Sequence, residues 1–499
     1  MSLQLEPVIG LEIHVQLKTK TKMFCSCDNR GENLPPNTAI CPICLAHPGT
    51  LPWPNEQAVR FAVLLGSALG AQLDPVLRFD RKHYFYPDLP KGYQISQFDH
   101  PTCSGGSFTF EVPGTNVPRN SATVRIERAH LEEDAAKSFH GTAGETLVDF
   151  NRAGTPLIET VTHPDFKTPF EARCFLQELR LLVRTLGISE GDMEKGHLRC
   201  DANISMRPVG DENLYAKTEI KNLNSFRSVE RALEFEIKRQ SELWEAGTPP
   251  TLTTTRGWDD ANQKTTEQRS KEGLKDYRFF PEPDLPFCDI SAIIAEERRH
   301  LPELPHAKRA RFQAEYGFTA PDARQFVEHE SLAEYAENVM SEFLAWVRSE
   351  LPETSEEEFK PRAAKLVSGW LLSKYLGALS EMGREFSRDI ITPENFAELL
   401  TLLYRTKINS TTAQTVLKKM IETGADPSHI LEDEKLTGAD EQSIDLWIAE
   451  VIAANPAQVA EFKAGKFSLL QFFLGQVMKK SRGTADPETT AEKIKDALE

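Results

Sequence analysis

Val8-Ile9-Gly10-Leu11-Glu12-Ile13-His14-Val15-Gln16-Leu17 decides how this chain begins to fold. Successive side chains of a strand alternate across it, so Leu11, Ile13, Val15 and Leu17 share one side while Glu12, His14 and Gln16 share the other. One face can join a core, and the opposite face carries a carboxylate and an imidazole. Related patterns recur where Ala129-His130-Leu131 runs into Glu132-Glu133-Asp134, and where Thr155-Pro156-Leu157-Ile158 ends on Glu159. A half-exposed antiparallel strand would account for Glu12 and His14 alone. If the polar faces of all three segments meet in a cleft, their carboxylates and imidazole form a ligand set for a hard divalent cation such as Mg²⁺, which also holds substrate phosphates.

Outward from this stretch, residues 1 to about 290 are rich in Gly, Pro, aromatic residues and short β-branched runs. Ser107 to Val112, Ala122 to Ile126 and Ala202 to Met206 read as strands of an antiparallel sheet joined by long loops. Two helices interrupt it. One has Thr168 as N-cap, Pro169 at its first position, a stripe of Phe175, Leu179, Leu182, Val183 and Leu186, and a stop at Gly187. The other runs from about Ser228 to Trp244 with Val229, Ala232, Leu233 and Ile237 inward. Past Pro286 the pattern is almost entirely helical, with Pro302, Pro305, Pro321, Pro352 and Pro393 at boundaries and compact hairpins around 410–424 and 456–480. The fold class is therefore α+β, with a sheet domain over 1–294, a helical domain over 295–405 and a helical tail over 406–499.

The 499 residues exceed what one hydrophobic core supports, so more than one domain is expected. The opening MSLQLEPVIGLE has no apolar stretch typical of a signal peptide, and no apolar run approaches a membrane span, so a cytoplasmic protein without a membrane role is expected. A formal charge of −17 argues against indiscriminate coating of nucleic acid. It leaves room for local basic patches, and Lys463, Lys466, Lys479, Lys480 and Arg482 fall in acid-free stretches near the end of the chain.

Cys25-x-Cys27, thirteen intervening residues and Cys41-Pro42-Ile43-Cys44 supply four thiolates in two knuckles, as a tetrahedral Zn²⁺ requires. Four protein ligands leave no position for water, so that zinc would be structural. There is neither a GxxxxGK[ST] loop nor a GxGxxG after a strand, so a nucleotide would be held by metal and basic side chains. Lys82, Arg128, Arg152 and Arg199, each close to an acidic segment, are the candidates.

Several long motifs, in order, resemble the GatB family, the B subunits of bacterial-type aspartyl/glutamyl-tRNA(Asn/Gln) amidotransferases. They are the opening Val8 to His14, Tyr84-Phe85-Tyr86-Pro87-Asp88, Gln94 to Phe98, Leu131 to Asp134, Asn151 to Glu159, Arg199 to Ser205, Lys221 to Phe226 and Tyr277 to Asp284. Phe473 to Gly483 resembles the tail shared with YqeY proteins. The archaeal-type relative of this family is disfavoured because it carries an extra inserted domain for which this length leaves little room.

The resemblance implies a glutamine synthetase-like cradle domain followed by the helical domain and a YqeY-like tail. It implies a ligase that uses ATP to phosphorylate the side-chain carboxylate of misacylated Glu-tRNA(Gln) or Asp-tRNA(Asn) and then amidates it. By motif position, His14, Glu133 and Glu159 would bind Mg²⁺ with Glu12 close by, and Lys82 and Glu12 would stand at the mouth of an ammonia tunnel. Apart from the resemblance, their places beside acidic segments make Arg128, Arg152 and Arg199 the candidates to hold ATP, and the basic stretch near the end makes Lys466, Lys479, Lys480 and Arg482 the candidates to contact tRNA. The four cysteines match the zinc-bearing branch of the family. The chain shows no Ser-Ser-Lys amidase signature and no Cys/His glutaminase motif, so ammonia would come from a glutaminase/amidase partner, with a small third subunit completing a heterotrimer. The competing expectation is a noncatalytic tRNA-docking scaffold in the same complex, its acidic cluster only bracing the sheet.

Overall fold

The structure is a computed structural model that describes residues 4–114, 117–141, 144–270, 277–350, 355–434, 441–481, 485 and 487–498. The chain divides into two compact units, Met1–Pro305 and His306–Glu499.

The first unit is built on a ten-stranded sheet. Its principal elements in chain order begin with β1 (Leu5–Gln16), α1 (Glu56–Ala68), β2 (Asp80–His83), β3 (Tyr93–Ser96), β4 (Ser121–Glu133) and β5 (Pro156–Thr162). They continue with α2 (Pro169–Thr185), β6 (Leu198–Pro208), β7 (Thr218–Leu223), α3 (Phe226–Glu245), β8 (Thr254–Asp259) and β9 (Lys264–Ser270). The sheet order is β9-β8-β7-β6-β1-β5-β4, continued by the short strands Cys103–Ser104 and Gln72–Leu73, with Ser107–Glu111 pairing beside β4. β2 and β3 form a separate three-stranded sheet with Phe280–Pro281.

All pairings of the large sheet are antiparallel except one: β7 and β8 run parallel. α3 lies between them in sequence and supplies the crossover a parallel pair requires, so the purely antiparallel reading needs this correction. β1 is central, flanked by β5 and β6. Ile9, Leu11, Ile13, Val15 and Leu17 are all essentially inaccessible and share one core with α2 and α3. That core anchors β1, leaving Glu12 and His14 on the opposite face.

α2 forms as its sequence dictates. The Thr168 hydroxyl accepts from the Glu171 backbone N–H at 3.1 Å, Phe175, Leu179, Leu182 and Val183 are buried, and Gly187 adopts φ +67° just after the helix. α3 starts at Ser225, which caps Ser228 N. Its inner face departs from expectation: Ile237 is half-buried and Glu236 is fully buried. Glu236 satisfies its carboxylate with Arg239 at 2.7 Å, Thr265 at 2.5 Å and Arg256 at 3.3 Å. The helix Ser291–Glu297 stays with this unit through Glu296 and Glu297, which both hold Arg60 of α1.

The second unit is helical in all its described secondary structure. Glu330–Glu350 and Pro393–Tyr404 pack together, and the short π-helical segments Phe312–Tyr316 and Gly369–Tyr375 precede and follow the helix Glu356–Ser368. Towards the end, Ile444, Ile448, Val451, Phe462, Phe473, Val477, Ile494 and Leu498 form an apolar cluster of their own. That cluster lies within the single compact unit His306–Glu499, which is not divided at 405.

Candidate active site

β1, β4 and β5 converge on one polar face because their register is antiparallel and in phase. His14 is opposite Glu159, and Glu159 is opposite His130. Alternation then brings Glu132 to the same face as His130. His14 Nε2 lies 3.3 Å from Glu132 and 3.5 Å from Glu159. His130 Nε2 lies 3.4 Å from Glu159 and 3.8 Å from Glu132, and the Ser96 hydroxyl donates to Glu132 at 3.3 Å.

Two buried carboxylates and two imidazoles hold each other's protonation states. Burial alone would lower the pKa of His14, but the charge of Glu159 and hydrogen bonds to Glu132 and Glu159 outweigh it and carry it up to about 10. His130 moves upward for the same reasons. Burial and mutual repulsion push the carboxylates upward, yet the two imidazoles prevail and hold both well below the usual range. Glu12 lies farther along β1, where burial and the charge of Glu159 raise its pKa while Asn203 Nδ2 donates to it at 2.9 Å. Lys82 of β2 is raised as well: burial opposes its charge, but Glu132, Glu159 and Glu12 favour it.

Glu12, His14, Lys82, Glu132 and Glu159 line a cleft of about 550 Å³. Its other wall carries cations already engaged with acids. Arg199 donates to Asp134 at 2.6 Å, and Arg152 lies 3.6 Å from Asp134 while donating to the carbonyls of Ala135 and Ala136. Lys221 meets Asp201 at 2.5 Å and Glu219 at 3.1 Å.

Two expected members are elsewhere. Glu133 is one residue out of phase with Glu132, so it points to the opposite face, where it pairs with Lys91 at 2.7 Å and accepts the Ile95 backbone N–H at 3.0 Å. It is corrected from metal ligand to buried ion-pair partner, and Glu132 takes its place beside His14. Arg128 lies outside the cleft: its guanidinium donates to the Phe98 carbonyl at 3.2 Å and sits 5.9 Å from the Phe98 ring centroid. His130, Asp201 and Lys221 were not singled out from the sequence, and Glu132 was named only as part of the acidic run, with Glu133 preferred as ligand. The shared parity of His130 and Glu132 was the available signal for those two.

The donor set fits a hard cation. His14, Glu132 and Glu159 each offer an atom, all within 4.8 Å of one another. The 3.3 Å and 3.5 Å separations approach the ~3 Å between neighbouring ligands of octahedral Mg²⁺ at its ~2.1 Å bond length.

Cys25, Cys27, Cys41 and Cys44 gather within the same 4.8 Å limit, as a four-thiolate centre demands. Lys22, fully buried, donates to Ala39 O at 2.8 Å and Phe150 O at 3.3 Å and reaches Cys44 Sγ at 3.8 Å. Hydrogen bonding from Cys25 pulls the Cys44 thiol towards thiolate, whereas burial pushes Cys27 up to about 12.

In the tail, Lys479 and Lys480 end one helix, Lys480 pairing with Glu450, while Lys466 pairs with Glu461 at 2.8 Å. Arg482 lies outside the described residues.

The sheet unit with this cleft is a GatB/GatE catalytic domain: the family model of that description matches residues 7–296, and one described as the GatB domain matches 350–498. A Thermotoga maritima protein, named as the B subunit of aspartyl/glutamyl-tRNA(Asn/Gln) amidotransferase, is 44% identical over 99% of both chains. Proteins of the same name from Crocosphaera subtropica and Thermodesulfovibrio yellowstonii are 43% and 41% identical, the first covering 98% of this chain and 97% of its own, the second 99% of both. The chain belongs to this family, the B subunits of aspartyl/glutamyl-tRNA(Asn/Gln) amidotransferases. Among the described residues, no helix is long and apolar enough to cross a membrane.

Proposed function

We propose that this cytoplasmic protein is the ligase centre of a tRNA-dependent amidotransferase, acting on Glu-tRNA(Gln), Asp-tRNA(Asn) or both. The observation that carries the reading is the meeting, in one cleft, of His14, Glu132 and Glu159 with a wall of Arg152, Arg199 and Lys221. In the reaction a side-chain carboxylate oxygen bonds to the γ-phosphorus of ATP and ADP leaves. The nitrogen of ammonia then bonds to the acyl carbon, phosphate leaves, and the nitrogen loses a proton. Two anions must approach each other in the first step, and Lys82, Arg152, Arg199 and Lys221, which line the cleft among its acids, would offset their repulsion.

His14, Glu132 and Glu159 would hold Mg²⁺, which supplies charge neutralisation and alignment of phosphate oxygens when bound. Arg152 and Arg199 would orient phosphate oxygens by exchanging their present contacts with Asp134 and backbone carbonyls. Glu12, whose pKa is raised by burial and by the charge of Glu159, would in its ionised form be the stronger base and accept the proton lost from nitrogen. It also lines a second pocket of about 270 Å³ with Asn203 and Lys217, which supports an ammonia path entering beside Glu12 and Lys82. Ammonia would come from a glutaminase/amidase partner assembled with a small third subunit, and a structural Zn²⁺ would sit on the four cysteines.

The test is amide formation by the copurified complex given ATP, glutamine and each misacylated tRNA. Glu159→Gln should abolish product while leaving tRNA affinity nearly unchanged. Loss of tRNA binding without a separate chemical defect would favour the docking scaffold instead.

A further inference from the structure

A row of aromatic rings leaves the cleft along one rim. Tyr277 lines the cleft and its ring lies 6.2 Å from Phe279, which stacks on Phe98 at 4.2 Å with 10° between planes. The row is built rather than incidental. His83 N of β2 donates to Tyr277 O at 2.8 Å, Phe280–Pro281 pairs with β2, and Phe98 follows β3 with its N–H bound by Asp80 at 2.8 Å. Phe98 nevertheless leaves 43% of its surface in solvent, at a cost only a ligand or neighbour would recover.

The outer end of the row is cationic in an unusual way. Around the cleft, guanidiniums are matched by acids: Arg81 with Glu282, Arg199 and Arg152 with Asp134. Arg128 beside Phe98 has no carboxylate within ion-pair distance among the described residues, and its Nε has no hydrogen-bond partner. Arg78 is similar, with its Nε equally unpartnered, its guanidinium 4.9 Å from the Phe287 ring centroid and Nη1 3.1 Å from His100 Nε2. Gln97 donates to Arg78 O, so both arginines border the 97–100 turn that carries Phe98. In a chain of net charge −17, two unmatched guanidiniums beside exposed rings are an exception.

A row of rings that ends on two unmatched guanidiniums suits a ligand that carries both bases and phosphates, which is single-stranded nucleic acid. A single adenine would need one enclosed ring slot, whereas these rings form an open line that begins inside the cleft. The proposed substrate presents its ester on the last nucleotide of a short unpaired strand, and an unpaired strand is what stacks on side chains. We propose that Tyr277, Phe279 and Phe98, with Arg128 and Arg78 at the outer end, bind the unpaired 3′-terminal nucleotides of the tRNA whose ester enters the cleft. This rests on the function proposed above and names how that substrate is steered.

The experiment compares affinities of the purified complex for an intact deacylated tRNA and for the same tRNA trimmed of its unpaired 3′ nucleotides. The wild type should favour the intact form by on the order of ten-fold or more. Phe98→Ala and Phe279→Ala should bring that ratio towards one without altering affinity for the trimmed tRNA, and Phe98→Tyr should restore it. Arg128→Ala should lower the salt slope for intact tRNA by about one. A ratio preserved in both alanine variants overturns the proposal. So does a preserved ratio accompanied by a raised KM for ATP, which assigns the rings to adenine, or by lost copurification, which assigns them to a protein neighbour. The ratio itself is one of affinities measured on deacylated tRNA without turnover, so it stands or falls separately from the amide-forming assay.

Discussion

Glu132 and Glu133 are identical side chains one position apart, and the pleat of β4 sends them to opposite fates. Glu132 lies beside His14 and His130, whereas Glu133 is tied to Lys91 and to Ile95 N on the other side. Glu132→Gln should therefore lower amide formation by on the order of 10²-fold while the fold stays intact by circular dichroism. Glu133→Ala should do the reverse: it strands a mostly buried ammonium, costing about 3 kcal/mol, and shows as a lowered Tm with near-normal activity per folded molecule. Equal loss of activity in both variants at unchanged Tm would return Glu133 to the chemistry. The sequence made the acidic run conspicuous, and alternation paired His130 with Glu132. It could not show that the strand stays regular to Glu133, because that depends on pairing with Pro156 and on the bond to Ile95.

Elements whose signals are local were legible in advance. α2 has its cap, its leading proline, its apolar stripe and its stopping glycine in one continuous segment, and each does what its chemistry requires. α3 was legible only in outline, because Glu236 is buried by partners on β8 and β9 that no helical periodicity reveals. Its carboxyl is pushed up by burial, but hydrogen bonds from Arg239 and Thr265 and the charge of Arg239 hold it below the usual range. A folded-state pKa below the unfolded value of about 4.3 gives stability that is complete above that pH and drains as pH falls through the folded value. Glu236→Gln should flatten the acid limb of Tm against pH below about 4.3, and an unchanged limb would deny the coupling. The cysteine loop was legible from spacing alone, but its tie to Lys22 was not. Chelation should release zinc, lower Tm and make four additional thiols reactive. Metal-free purified protein, or thiols that react fully before chelation, would leave the cluster without a zinc role.

At the scale of the molecule, the acidic chain has to meet a polyanion, so productive contacts must be few and placed. The shift from mixed texture to nearly pure helix past residue 286 set the first expected boundary at 294, ahead of two further helical domains, whereas the structure divides the chain into two compact units after Pro305. Charge pattern could not say which tail lysines are available. Lys480 pairs with Glu450 and Lys466 with Glu461, whereas Lys479 has no acidic partner among the described residues. If the tail touches tRNA, Lys479→Ala should weaken binding alike for different tRNA sequences and lower the slope of log K against log salt by about 0.9, the share of one phosphate contact. Lys466→Ala should change it less, since removing that ammonium also unmasks Glu461 without freeing a phosphate partner. A slope unmoved by Lys479→Ala would take this helix end out of the interface and leave the steering of tRNA to the cleft and its rim.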